Sequence, residues 1–100
     1  MTPPDPHAAL RARVIDTATR GPGEADRALR EAAFAGHGLP DTLTPFVATI
    51  RAHAWRITDA DVAQLRLAHD DEALFEVIVS AALGAADERL QAGLRALEEA

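Results

Sequence analysis

The densest group of side chains able to do chemistry is Arg51-Ala52-His53-Ala54-Trp55-Arg56, which sets a histidine and two guanidinium groups beside the only tryptophan of the chain. On a helix this spacing places Arg51 against Trp55, with His53 beside Phe46 or Ile57 on neighbouring turns. Used as a site, His53 would be a general acid or base, Arg56 an anion anchor and Trp55 the wall of a small pocket. Arg89 is the other candidate anchor, because a carboxylated substrate needs a guanidinium and a proton donor in one pocket. The same residues also read as structure: a partly buried histidine, a tryptophan filling a thin core and arginines covering the exposed face. That reading is the more economical one, since a histidine with no fixed partner lacks the second group that orients a base.

His37, His53 and His69 recur sixteen residues apart, but a single helix or tight loop cannot use that spacing to hold a metal. The run His69-Asp70-Asp71-Glu72 looks like a ligand set and is more simply a helix N-cap followed by an acidic first turn. The Glu-x-x-His pairs of a di-iron bundle are missing. With no cysteine in 100 residues, disulfides, thiolate zinc sites and thiol redox chemistry are excluded. Neither a metal nor a cofactor is expected.

All ten basic residues are arginine, and they are scattered among sixteen acids to leave a net charge of −6. That balance opposes a phosphate backbone, which binds through clustered cations and counterion release. Thr58 to Leu83 could pass for a helix-turn-helix, yet its second helix opens on acids and then turns apolar, so it presents no base-reading side chains. The longest apolar stretch is too short and too interrupted to span a bilayer, and no basic segment leads into an apolar run as in a signal peptide. The expectation is a soluble cytoplasmic protein that binds neither nucleic acid nor membrane.

The elements that must position these groups are all helical, and residues 1–100 read as one domain. After a loose tail over 1–4, Asp5 can cap a helix with Pro6 at its first position, and Leu10, Val14 and Ala18 form its apolar stripe. Gly21-Pro22-Gly23 ends that segment. A second helix is predicted over Glu24 to Ala35, with Ala25, Ala28, Leu29, Ala32 and Ala33 inward, and Gly36-His37-Gly38 closes it with a glycine available for the left-handed stop. A third follows Pro40-Asp41, with Pro45 in its first turn and Leu43, Phe46, Val47, Ile50 and Ala54 recurring at helical spacing. Thr58 and Asp61 form a variant capping box for a fourth helix, which buries Val62 and Leu65. Asp70 then caps a long fifth helix.

The strongest periodicity in the chain is on that fifth helix, through Phe75, Val79, Ala82, Ala86, Leu90, Leu94 and Leu97. Between Ala73 and Ala86 only Glu76 and Ser80 are polar, so this half is apolar nearly all round and wants burial on several sides. A 100-residue domain can surround such a helix only partly. Leu74, Val77, Ile78, Ala81, Gly84 and Ala85 are therefore expected at an interface with another copy, where the small residues permit close approach.

The string Ile57-Thr58-Asp59-Ala60-Asp61-Val62-Ala63-Gln64-Leu65-Arg66, followed by Asp70-Asp71-Glu72-Ala73-Leu74-Phe75-Glu76, Ala81-Ala82-Leu83-Gly84 and Arg89-Leu90, resembles the alkylhydroperoxidase-D-like, or carboxymuconolactone-decarboxylase-like, superfamily. The likeness covers roughly 39–97. It implies an all-α bundle of about five helices with a long C-terminal helix, assembling into trimers or hexamers. Peroxidase-like members carry a Cys-x-x-Cys pair that this chain lacks. The resemblance thus implies a small oligomeric protein without thiol peroxidase activity, serving as a binding, scaffold or accessory module for an unknown protein or small molecule. The alternative it leaves is an acid–base enzyme of decarboxylase or isomerase type on a small carboxylated substrate. Arg89 matches an arginine common near this point of the family's long helix.

Overall fold

A computed structural model describes residues 7–100, which hold five α-helices and no strand. Helix α1 runs Ala8–Arg20, α2 Arg27–Ala35, α3 Thr44–His53, α4 Asp59–Arg66 and α5 Asp71–Glu99; a single 3₁₀ turn, Ala54–Arg56, follows α3. The expected tail and the Asp5-Pro6 start lie outside the described residues. Among the described residues no helix is long and apolar enough to cross a membrane.

The helix starts read from local chemistry are in place. The Thr58 hydroxyl accepts from the Asp61 N–H at 3.1 Å, and the Asp61 carboxylate accepts from the Thr58 N–H at 3.0 Å, closing the capping box of α4. Asp70 accepts from the Ala73 N–H at 2.8 Å to open α5. Asp71 in the next position takes two hydrogen bonds from Arg66 at 2.7 and 3.0 Å. Those bonds and the attraction between the charges hold the exposed Arg66 guanidinium above its usual range. Pro45 sits in the first turn of α3, where its missing N–H leaves no helical bond unmade.

Helix α2 starts later than its sequence pattern implies, at Arg27 instead of Glu24, because Asp26 before it has a non-helical backbone, with ψ of 143°, and stands at the N-cap. The Glu76 carboxylate accepts from the Glu24 N–H at 2.9 Å and the Ala25 N–H at 2.6 Å. One side chain of α5, 52 and 51 positions on in the chain, thus satisfies two backbone donors of the segment before α2. Its inward face also differs: Ala28 is exposed, and Arg30 is buried, donating to the carbonyls of Ala25 at 3.1 Å and Ala18 at 3.2 Å. Arg30 thereby ties the end of α1 to α2, with its charge placed at a helix C-terminus where the dipole favours a cation.

Helix α5 is the hub against which α1, α2, α3 and α4 all pack. The core joins Ala33 of α2, Phe46, Val47 and Ile50 of α3 with Leu43 just before it, Leu65 of α4, and Leu74, Val77 and Ala81 of α5. Ile78 is half-buried against that core. Here the small-residue face of α5 departs from the expectation set by its sequence. Leu74, Val77, Ala81, Gly84 and Ala85, expected to meet another copy, are buried by the chain's own helices. The stripe with the strongest period faces outward, with Phe75 66% exposed and Leu97 74% exposed. Both faces are apolar, so period alone does not choose between them; the small face wins because α2 comes too close for anything larger. A Cβ on Gly84 would overlap the backbone carbonyl of Phe34 at the end of α2.

From Arg95 onward every residue of α5 is exposed. The helix carries the molecule to extents of 52 × 28 × 20 Å and a radius of gyration of 15.1 Å. A compact domain of this length has about 13 Å.

Candidate functional site

His53, Trp55 and Arg56 do come together, but on the surface. Helix α3 stops at His53, and the 3₁₀ turn Ala54–Arg56 swings the next three side chains away from the core. Ala54, expected inward at helical spacing, is exposed as a result. The His53 ring meets the edge of Trp55, with centroids 5.7 Å apart and planes at 65°, and the Arg56 guanidinium stacks 4.9 Å from the Trp55 ring centre. Trp55 is 76% exposed, so it is neither the wall of a pocket nor a filler of the core. His53 and Arg56 are exposed beside it.

Arg89 is placed by a different contact, donating to the backbone carbonyl of Arg51 at 2.8 Å near the end of α3. It braces that helix, where the last carbonyls lack intrahelical partners. Arg51 itself turns away from Trp55 and reaches across the fold. One guanidinium nitrogen donates to the Phe34 carbonyl, with a longer bond of 3.5 Å to Ala33, and another donates to the Glu88 carboxylate. Its side chain is 12% exposed. Gly36, with φ of 82°, ends α2 in the left-handed conformation and leaves the room that Arg51 fills; a Cβ there would press on the guanidinium. The arginine of this segment with the most built surroundings is thus a structural tie, a role that only contacts across the fold reveal.

The three evenly spaced histidines stay apart in role. His37 follows α2 and is exposed, His53 ends α3, and His69 is half-buried in the turn between α4 and α5 with its Nε2 unbonded. Among the described residues no three His, Asp or Glu side chains are grouped so as to hold a metal ion.

A concavity with almost wholly apolar walls lies elsewhere, between α1 and α5. It is a groove of about 300 Å³ walled by Leu10, Val14, Ile15, Leu83, Ala86 and Leu90, with His7, Arg11 and Asp87 also lining it. Its walls are nearly all apolar, and Leu10, Val14 and Leu90 remain 56%, 47% and 38% exposed. Such a surface can bury apolar area but offers little convergent polar chemistry. The α1 stripe of Leu10 and Val14 and the α5 stripe of Ala86 and Leu90 were each visible in the sequence; that they border one open groove was not.

No protein-family model, curated protein or solved structure matches this chain.

Proposed function

We propose that this chain is a non-catalytic helical interaction module that works as a homo-oligomer. The observation that carries this reading is the open apolar surface formed by α1 and the outer face of α5. Phe75, Leu10, Val14, Leu90 and Leu97 all lie substantially in water there, although the domain has a complete core behind them. Leu10, Val14 and Leu90 border the groove, with Phe75 and Leu97 beyond it on α5, and exposed apolar surface of this extent marks association sites. The alkylhydroperoxidase-D-like resemblance of 39–97 supports the same proposal, with a trimer or hexamer as the form it favours, and the lack of cysteine removes the thiol chemistry of the peroxidase-like members.

The acid–base alternative loses support from the exposure of its parts. His53 and Arg56 flank an exposed tryptophan, and Arg89 has a donor committed to a backbone carbonyl. Nothing there excludes water or pairs a base with an orienting group.

Light scattering behind a sizing column tests the reading directly. The expected mass is a multiple of 10.6 kDa at micromolar protein. A mass of one chain at every concentration contradicts it.

A further inference from the structure

We propose that two copies of this chain pair antiparallel along α5, about a two-fold axis at Ala86. This rests on the reading of the chain as a self-associating module and adds the face, the register and the direction.

The outer stripe of α5 is centred on Ala86, with Phe75 mirroring Leu97 and Ala82 mirroring Leu90, while Leu94 mirrors the half-buried Ile78 and falls outside this symmetry. Phe75 lies eleven residues before it and Leu97 eleven after, and eleven residues are close to three turns, so all three share one face. An antiparallel copy centred on Ala86 sets Phe75 of each chain against Leu97 of the other, joining the two most exposed large apolar groups of that helix. The same register puts Leu90 opposite Ala82 and Val79 opposite Gly93. Large residues meet small ones at these two steps, between the Ala86 pair at the centre and the Phe75–Leu97 contacts at the ends, and packed helix layers interdigitate in this way.

Gly93 adds an independent point. It lies inside α5, where glycine costs about 1 kcal/mol relative to alanine, and within the single chain a Cβ there would meet nothing within 4 Å. The isolated fold gives no reason for that glycine. A second helix passing close to it does.

The available area reaches the lower bound for a specific contact. Leu10, Val14, Phe75, Leu90 and Leu97 leave on the order of 500 Å² of surface open per copy, so a pair that covers all five in each chain buries at most roughly 1,000 Å². A stripe three helical turns long on either side of its centre is too extended for one small molecule and fits a straight helix. The stripe's own length and symmetry identify that helix as α5 of a second copy.

The absence of cysteine makes the register testable by single substitutions. The unmodified chain is expected at an even multiple of 10.6 kDa, either the pair alone or a hexamer built from such pairs, by light scattering at about 100 µM, where an interface of micromolar affinity is saturated; a trimer mass overturns the two-fold pairing. Ala86→Cys alone is expected to form a disulfide dimer in air, because the two-fold axis brings the two positions within disulfide reach. Phe75→Cys and Leu97→Cys, treated with a short bismaleimide, are expected to cross-link only when mixed, since each position lies about 33 Å from its own copy in the pair. All three positions are exposed, so the substitutions leave the core intact.

Cross-linking of Phe75→Cys or Leu97→Cys to itself indicates a parallel pair and overturns the proposal. A multimeric mass without any of the expected cross-links overturns the register while leaving self-association standing. A single-chain mass means that some other partner covers this face, and it overturns both.

Discussion

Arg51 on α3 is ion-paired with Glu88 on α5, thirty-seven positions later in the chain, and the same guanidinium holds the carbonyl of Phe34 at the end of α2. Three helices thus meet on one planar cation that can donate in several directions at once. The contact is lopsided, since the Arg51 side chain is 12% exposed and that of Glu88 is 66% exposed.

The two ends of this pair should therefore respond differently to truncation. Arg51→Ala leaves an α2 carbonyl without its donor and opens a gap beneath Gly36, so a loss of roughly 2–4 kcal/mol is expected. Glu88→Gln removes only an exposed charge and should cost less than about 1 kcal/mol. Urea unfolding followed by circular dichroism measures both. Equal losses for the two variants would show that the ion pair, and not the carbonyl tie, is what matters.

Two glycines of α5 make opposite predictions. At Gly84 an added methyl runs into the Phe34 backbone, which cannot rotate out of the way, so Gly84→Ala should destabilise by about 1–3 kcal/mol despite alanine's higher helix propensity. At Gly93 the methyl meets open space, so Gly93→Ala should stabilise the dilute single chain by about 0.5–1 kcal/mol. Thermal unfolding of the pair at low protein concentration decides. A stabilised Gly84→Ala would mean that α2 does not cross α5 at that point.

What the sequence reveals and what it hides follow the range of each interaction. Thr58 and Asp70 are legible because a cap joins a side chain to a backbone N–H three residues on, and its whole chemistry lies within one short string. The bonds of Glu76 to Glu24 and Ala25, and those of Arg51 to Phe34 and Glu88, cross from 17 to 52 positions, and no local pattern announces them. The orientation of α5 was hidden for another reason. Two apolar stripes share that helix, and the deciding factor is steric: the face bearing Gly84 admits the end of α2, while the bulkier stripe through Phe75 and Leu97 turns to the surface. The placement of the candidate site was hidden at the helix end, since a 3₁₀ turn after His53 rotates Trp55 outward, where a continued α-helix would have set it beside Arg51.

Glu76 offers a test of the long-range tie between α5 and the start of α2. Its two carboxylate oxygens hold two separate N–H donors, at 2.9 and 2.6 Å. Glu76→Ala frees both donors in a partly exposed place, for an expected loss of about 1–2 kcal/mol, comparable to removal of a helix cap. Glu76→Gln keeps one acceptor oxygen and should recover part of it. Amide hydrogen exchange gives the local readout, with protection lost at Glu24 and Ala25 first. Unchanged exchange at these two amides in Glu76→Ala would sink the assignment.

Charge placed on each face of α5 separates folding from association. Ala81 has no exposed surface and belongs to the same core cluster as Val47, Ile50 and Val77. Ala81→Arg must bury an unpaired cation with no room for its stem, a change of several kcal/mol that exceeds what a domain this small can spare. It should lose its helical circular dichroism signal at every concentration. Leu90→Arg, by contrast, places the guanidinium at a groove wall that is 38% exposed, where it can reach water. That variant should keep its helical signal and thermal transition at low concentration while sedimenting as a single chain under conditions where the unmodified protein associates. If Ala81→Arg instead stays folded and only dissociates, then Ala81 belongs to an interface between copies and the inward and outward faces of α5 are exchanged.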